Sequence, residues 1–339
     1  MDRPPRSQGG AGVVQNHRLR ARAAPCPPHR RPVPPRMSRL FALLSVWPLA
    51  VLHPLGSLLG WLAFLLSPTY RRRLVAHARA VGLSRWQVAG AVAHAGKMVG
   101  ELPLLWGRPR EAALGEAVQW THAEAVADAL AEGRGLLLLT PHLGCFEITA
   151  QAYAERFGAQ QPITALYRPA KQAWLAEMMK NARNRPGMLT SPATLSGVRQ
   201  MLRALKSGQT VGLLPDQVPP EGMGVWAPFF GREAYTMTMA AKLVAQTRCA
   251  VVLLRGERLG PLARWHRGCD YVVHATRVSP ETEALLAAGD AAQSAAAINQ
   301  LMESLIMQAP EQYLWGYNRY KGPRAEILTT AAPGSEGRA

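Results

Sequence analysis

The chain opens with a long apolar segment, after which short apolar runs alternate with amphipathic stretches. Residues 135–140 read GLLLLT, an apolar run bounded by glycine and proline that is typical of a buried strand. Similar runs predict strands over residues 163–167, 210–214, 250–255 and 271–276. Helical patterns cover residues 74–106, 123–132, 170–182, 195–206, 236–246 and 291–308. Because strands alternate with helices, the sequence predicts an α/β fold, a largely parallel sheet flanked by helices.

Residues 40–66 contain no Asp, Glu, Lys or Arg and are long enough to cross a hydrocarbon core of about 30 Å. Pro48, His53 and Pro54 interrupt the segment, which also fits a buried core helix. We predict an N-terminal membrane-anchoring helix within residues 37–69, either spanning or re-entrant. Arginines on both sides of the segment leave its orientation open. The segment is too long for a cleaved signal peptide, and an arginine block follows it.

The net charge of +17 is unevenly spread along the chain. Residues 1–36 hold 8 Arg and 1 Asp, so the remaining residues keep a net charge of +10. This leader lacks apolar periodicity, and we predict that it is disordered. A catalytic domain is predicted over residues 70–325, with a flexible tail over residues 326–339. The basic surplus suits nucleic acid, an anionic bilayer, a phosphorylated lipid or an acidic carrier protein.

The 4 cysteines are too few and too scattered for a disulfide framework, in agreement with a reducing compartment. His142 with Cys145, and His266 with Cys269, each form an H-x-x-C pair. Structural zinc sites usually have paired ligands on both halves, so we predict no metal.

His142 and Glu147 follow the 135–140 run, where open α/β sheets bind ligands. On one continuous helix, five residues correspond to about 140° of rotation, so the two side chains meet only if the helix starts after His142. Pro141 and Gly144 supply such a break. A carboxylate bonded to one imidazole nitrogen lets the other nitrogen take a proton from an alcohol. The spacing fits this catalytic pair, and it fits equally a histidine in a turn before an ordinary helix residue.

Six short motifs follow one another along the chain. They are the H-x-x-x-x-E of His142 and Glu147, Tyr167-Arg168-Pro169, Arg183-Asn184-Arg185, Leu214-Pro215-Asp216-Gln217, Ala227-Pro228-Phe229-Phe230-Gly231 and Ala309-Pro310-Glu311-Gln312-Tyr313-Leu314-Trp315. In order and spacing, residues from about 37 to 323 resemble the lipid A biosynthesis (late) acyltransferase family. One departure is local: Gly144-Cys145-Phe146 stands where the family often has Gly-Asn-Trp, which bears on donor or acceptor preference.

The resemblance implies a glycerolipid-acyltransferase-like fold and transfer of a fatty acid from acyl carrier protein to a hydroxyl of a lipid A precursor, a phosphorylated glycolipid. It implies a site on the cytoplasmic face of a Gram-negative inner membrane. No cofactor is expected, because an acyl thioester is already activated. By resemblance, His142 is the base, Glu147 its partner, Arg183 a functional arginine and Asp216 the acidic residue of a second motif.

Arginine suits phosphate recognition through paired hydrogen bonds, so we expect Arg168, Arg183 and Arg185 to bind substrate together with Asp216. For the basic side chains the alternative is a solvated helix face, and for Asp216 it is a residue that only ties down a turn. Arg319 is a weaker phosphate candidate. A loop carrying four aromatic residues offers either an apolar wall for an acyl chain or a plug for the core; they are Trp226, Phe229, Phe230 and Tyr235.

We expect direct transfer, with helix N-terminal amides near Gly144 stabilising the oxyanion. A covalent acyl-enzyme on Cys145 is the less favoured route. A rival enzyme class is a glycerolipid acyltransferase, which usually has Asp in place of Glu147. A rival of another kind is a membrane-tethered nucleic-acid-binding protein, motivated by a pI near 10.6. We expect no nucleic-acid partner, because residues 1–36 carry much of the excess charge and no nucleic-acid motif is recognised.

Overall fold

A seven-stranded mixed sheet with helices on both faces organises the chain. The computed structural model describes residues 36–167, 170 and 172–324. Its strands are β1 Val118–Thr121, β2 Leu136–Leu139, β3 Ile163–Tyr167, β4 Met188–Pro192, β5 Thr210–Leu213, β6 Gly224–Phe229, β7 Arg232–Met237, β8 Ala250–Arg258 and β9 Tyr271–Arg277. Its helices are α1 Arg36–Leu44, α2 Leu49–Leu66, α3 Pro68–Ala80, α4 Arg85–Gly100, α5 Leu102–Gly107, α6 Glu124–Ala131, α7 Phe146–Phe157, α8 Ala173–Arg183, α9 Leu195–Lys206, α10 Met239–Thr247, α11 Pro261–Arg267, α12 Pro280–Ala287 and α13 Ala291–Gln308.

The sheet order is β1-β9-β8-β2-β5-β3-β4, and β6 and β7 form a separate antiparallel hairpin. Strands β8, β2, β5, β3 and β4 are parallel to one another, and only the β8–β9 pairing within the large sheet is antiparallel. The predicted α/β fold with a mostly parallel sheet is therefore confirmed. This order makes β5 a direct neighbour of β2, so the segments that follow these two strands lie side by side at the carboxyl ends of the parallel strands.

The sheet is buried on both faces, which explains why its central strands read as continuous apolar runs. Leu137 and Leu139 of β2 belong to one core cluster, with residues of α3, α4, α9, α10 and α13. Leu136 and Leu138 belong to the cluster on the opposite face, with residues of α2, α5, α6 and α7. The alternation of side chains along a strand thus divides one apolar run between two cores.

Five predicted strands match β2, β3, β5, β8 and β9, and the helices predicted over residues 195–206 and 291–308 have the observed bounds. The predicted helix over residues 74–106 is divided into α3, α4 and α5. The helix predicted from residue 236 begins instead at Met239, because residues 232–237 form β7. Strands β1 and β4, the β6–β7 hairpin, and helices α11 and α12 were not predicted.

The apolar segment over residues 40–66 forms two helices, α1 and α2, which are separated at Pro48. Of the helices that the structure describes, α2 alone has the length and composition to cross a membrane. A core helix of a soluble protein passes the same test, so this finding supports the predicted anchor only weakly. The leader over residues 1–36 and the tail over residues 326–339 lie outside the described residues, apart from Arg36.

Candidate active site

His142 lies in the turn between β2 and α7, at the carboxyl end of the parallel strands. Strand β2 ends at Leu139, and α7 begins only at Phe146, so His142 precedes the helix as its spacing from Glu147 requires. Gly144 adopts φ of 58°, a left-handed conformation that favours glycine. A Cβ at this position would lie 2.0 Å from the carbonyl oxygen of Gly256. Gly144 therefore permits both the turn and its close approach to β8.

The carboxylate that contacts His142 belongs to Asp216. His142 Nδ1 lies 2.7 Å from Asp216 Oδ1, and the backbone N–H of His142 donates to Asp216 Oδ2 at 2.9 Å. Asp216 is 2% exposed. Burial raises the pKa of its carboxyl, but the charge and hydrogen bonds of His142 outweigh burial and hold the pKa below its ordinary value. A charged Asp216 fixes the imidazole tautomer with a proton on Nδ1, which leaves Nε2 as an acceptor.

Glu147 makes a different contact from the predicted one. Its carboxylate forms an ion pair with the guanidinium of Arg183, at the end of α8. The expected hydrogen bond between Glu147 and His142 is thus replaced by two pairs, His142 with Asp216 and Glu147 with Arg183. The physical reason is the strand order, because β5 lies beside β2 and brings Asp216 to the turn before α7 begins.

These pairs border a cavity of ≈ 410 Å³, a volume within the usual range for small-molecule sites. His142, Glu147, Arg183 and Gln217 supply its polar wall. The rest of the lining is largely apolar and rich in methionine, whose flexible side chain adapts to irregular ligands. Its apolar members include Phe146, Leu166, Met179, Val198, Leu214, Val218, Met223, Met237 and Met239. The arrangement places a histidine, whose Nε2 is not bonded to Asp216, beside a space suited to a hydrocarbon chain.

Gln217 is a residue of the cavity lining that the sequence prediction of site residues omitted. Its amide nitrogen lies 3.1 Å from His142 Nε2, so it donates to the nitrogen that would accept a proton. Gln217 directly follows Asp216 in the chain, and one turn therefore supplies partners to both ring nitrogens. Its membership of the Leu214-Pro215-Asp216-Gln217 motif is the signal that could have identified it.

Two other predicted arginines are built into the protein interior. The Arg185 guanidinium donates to five backbone carbonyls, those of Leu105, Arg108, Pro109, Arg110 and Ala182. This geometry gives no support to the predicted contact between Arg185 and substrate. Arg319 is also buried and donates to Tyr235 O at 2.8 Å and Thr236 Oγ1 at 2.7 Å. Arg168 lies outside the described residues.

The aromatic residues of the predicted acyl wall lie on or beside the β6–β7 hairpin. Phe229 is buried in the core cluster, and Trp226 is half exposed. Neither residue borders the cavity, whose nearby wall comes instead from Met223 and Met237 at the ends of the hairpin. The core-plug alternative therefore describes Phe229 better than the acyl wall does.

Cys145 is buried beside a charged network rather than exposed in the cavity. Burial, followed by the charge of Glu101, raises the pKa of its thiol well above the ordinary value. A thiol in this state is a poor nucleophile.

The N–H groups of Gly144 and Cys145 donate to the carbonyls of Gln312 and Gly256 at 3.0 and 2.8 Å. These two amides are thus engaged, so neither of them is the oxyanion donor expected near Gly144. Within the described ranges, no group of three or more potential ligands is placed to hold a metal ion.

This chain is similar to known proteins of one bacterial enzyme family. The profile of the bacterial lipid A biosynthesis acyltransferases matches residues 40–322. The lipid A biosynthesis lauroyltransferase of Escherichia coli K12 is 29% identical over 209 residues, 60% of this chain and 62% of that protein. The lipid A biosynthesis palmitoleoyltransferase of the same strain is 29% identical over 192 residues, which cover 56% of this chain and 57% of that protein. A Haemophilus influenzae lipid A biosynthesis acyltransferase is 23% identical over 192 residues, which cover 57% of this chain and 55% of that protein. The matches thus span less than two thirds of each relative.

Proposed function

Because this chain belongs to the bacterial lipid A biosynthesis acyltransferase family, we propose that it transfers a fatty acyl chain from acyl carrier protein to a hydroxyl of a phosphorylated lipid A precursor. We place this reaction at the cytoplasmic face of the inner membrane. The observation that carries the proposal is the His142–Asp216 pair, whose histidine lines an apolar, methionine-rich cavity. A base beside a hydrocarbon-binding space is what direct acyl transfer to a lipid hydroxyl requires.

The proposed step begins when the acceptor hydroxyl takes the place of the Gln217 amide at His142 Nε2. Nε2 removes the hydroxyl proton as the oxygen attacks the thioester carbonyl carbon. The carbon–sulfur bond then breaks, and the leaving thiolate takes the proton back from His142. The products are an ester and a free thiol, so the step consumes no cofactor. Asp216 stabilises the imidazolium that forms in between.

Charge develops on the carbonyl oxygen during the attack, and a nearby donor must stabilise it. The amide nitrogen of Gln217, once displaced from Nε2, is the side-chain donor of the cavity closest to the base. We assign it this role. Arg183 lines the same cavity and is oriented by Glu147, and its remaining N–H groups suit a phosphate of the acceptor or the polar part of the donor.

The test is a reconstituted reaction with purified protein, acyl carrier protein charged with a defined acyl chain, and a tetra-acylated lipid A precursor. We expect one additional acyl group on the precursor by mass spectrometry, and none with His142→Ala. Lysophosphatidic acid in a parallel reaction tests the glycerolipid alternative. Acylation of the lysolipid alone would overturn the proposed acceptor, and transfer from acyl coenzyme A alone would overturn the proposed donor.

A further inference from the structure

Helix α2 has two unlike faces along its 18 residues. One narrow face is buried against the protein and consists of Leu49, Leu52, His53, Gly56 and Gly60. Most of the remaining helix surface is apolar and exposed, and its large exposed side chains are Val51, Leu55, Leu58, Leu59, Trp61, Leu62, Leu65 and Leu66. At 1.5 Å per residue this exposed face is about 27 Å long. Continuous apolar surfaces of this size mark a binding partner.

The buried face is held to α4 by direct contact between the two backbones. Gly56 and Gly60 of α2 meet Gly96 and Gly100 of α4. A Cβ on Gly96 would lie 2.0 Å from the carbonyl oxygen of Gly56, so no larger residue fits there. Pairs of small residues four apart are typical of helices that pack this closely. Helix α2 is therefore fixed along α4 for most of its length.

Helix α4 in turn packs against the catalytic core. Its residues Val88, Ala91 and Val92 belong to the same cluster as Leu137 and Leu139 of β2. Helix α4 thus connects α2 to the core on one face of the sheet, and Leu49 and Leu52 of α2 belong to the core cluster on the other face. If α2 crossed a bilayer while docked, α4 and the core beside it would have to enter the hydrocarbon as well.

A buried polar network secures the same contact at the N-terminal end of α2. His53 Nε2 lies 3.3 Å from Glu101 Oε2, and Glu101 forms an ion pair with Arg258 of β8. Arg258 also donates to the carbonyl oxygen of Gly144, in the turn that carries His142, at 3.0 Å. Separating α2 from the body would expose one edge of this network, so the docked arrangement belongs to the folded catalytic domain.

We propose that α2 lies in the plane of a single membrane leaflet, docked on the catalytic body, with its exposed face among the acyl chains. The partner is the cytoplasmic leaflet of an anionic bilayer. An uninterrupted apolar face fits its interior, and the exposed Arg72 and Arg79 of α3, the helix that follows, suit its headgroups. The choice of a lipid partner rests on the proposed function, but the docked geometry does not. Both ends of α2 then lie on the same side of the membrane as the cavity.

Three positions on the exposed face test this orientation. Val51, Leu58 and Leu65 are seven residues apart, so they share one stripe of the helix to within about 20° per step. Each is changed to Cys in a Cys26→Ser background and labelled with a nitroxide, since the other cysteines, at 145, 249 and 269, are buried. Depth is measured from oxygen and nickel-complex accessibility in phosphatidylethanolamine–phosphatidylglycerol vesicles. We expect equal depths for an in-plane helix, whereas a helix along the membrane normal gives steps of about 10 Å.

A second measurement reports the sides on which the helix ends lie. Arg39→Cys, within α1, and Thr69→Cys, at the start of α3, lie beyond the two ends of α2, and both positions are exposed. In inverted inner-membrane vesicles, a membrane-impermeant maleimide should label both. Labelling at only one end of α2 would overturn the proposal, and so would nitroxide depths that increase from Val51 to Leu65. Protection of the exposed face by a second copy of the protein, in the absence of vesicles, would overturn it as well. None of these readouts uses acyl transfer, so the proposed reaction can fail while the orientation stands, and the reverse.

Discussion

Asp216 binds His142 twice, through the ring Nδ1 and through the backbone N–H of the same residue. One buried carboxylate thus fixes both the imidazole orientation and the turn that presents it. A substitution at Asp216 is expected to disturb chemistry and local geometry together. This contact, rather than the spacing between His142 and Glu147, supports the proposal that His142 is the base.

The first prediction is that Asp216→Asn lowers kcat by roughly 10² to 10⁴, the usual range for a general base. The amide keeps the size of the side chain but loses the charge that supports the imidazolium. His142→Ala should be at least as damaging, and the double variant no worse than His142→Ala alone, because the two residues act as a unit. Asp270→Asn, at a carboxylate paired with Arg264 on the surface, is the matched control. Additive losses in the double variant would contradict a shared role.

The second prediction concerns Gln217, whose amide is assigned to the developing oxyanion. Gln217→Ala should lower kcat by roughly 10² to 10³ with a smaller change in KM, as for other lost oxyanion donors. If the amide only occupies Nε2 at rest, the same change would leave kcat unaltered or raise it. Gln160→Ala, at an exposed position after α7, should behave as wild type.

The third prediction separates two arginines that are close in sequence. Arg183→Lys should lower kcat/KM by at least 10-fold, about 1.4 kcal/mol, although the charge is retained, because an ammonium cannot reproduce the planar, multiply donating guanidinium. Glu147→Ala should resemble it, since Glu147 orients Arg183.

Arg185→Lys is the matched comparison, and it should instead lower the melting temperature, because Arg185 holds backbone carbonyls between residues 105 and 110. The folded fraction should keep near wild-type kcat/KM. If Arg183→Lys and Arg185→Lys lowered kcat/KM equally and left the melting temperature unchanged, Arg185 would instead be a substrate-binding residue.

The sequence predicted the central strands well because burial on both faces makes their apolar runs unmistakable. It also indicated that His142 lies in a turn before a helix. The partner of His142 depends on the order of strands in the sheet, and five parallel strands can be ordered in many ways. Asp216 and His142 each followed a predicted strand, yet only the β2–β5 pairing brings them together. The contact between Gly56 and Gly96 could not be predicted from the sequence either, because each glycine is required only by the close approach of the other helix.

The fourth prediction is that Cys145→Ser retains substantial activity and that no acyl adduct accumulates on the protein with donor alone. The thiol is buried and its pKa is raised, so it is not prepared to attack a thioester. Intact-protein mass spectrometry after rapid mixing with the acyl donor provides the measurement. Cys249→Ser, at a second buried thiol, controls for packing. A stoichiometric thioester on Cys145 would establish the covalent route instead.

The last prediction uses the buried ion pair of Glu101 and Arg258. Burial alone would raise the pKa of the Glu101 carboxyl, but the charge and hydrogen bonds of Arg258 lower it from 4.5 to about 2. The pKa of Glu101 is thus lower in the folded protein than in the unfolded chain. The charged carboxylate therefore stabilises the fold at pH values above the pKa of the unfolded chain. This contribution is lost as pH falls from about 4.5 towards 2.

Glu101→Gln should therefore lower the free energy of unfolding by about 3–5 kcal/mol at neutral pH, because it leaves Arg258 buried without a counterion. It should also flatten the decline in stability of the wild-type protein between pH 4.5 and pH 2. Urea titrations at several pH values measure both effects, and Glu116→Gln, at an exposed carboxylate, should change neither. Arg258 also contacts Gly144, so the surviving folded protein should show reduced kcat. Parallel pH profiles for wild type and Glu101→Gln would mean that another group controls acid unfolding.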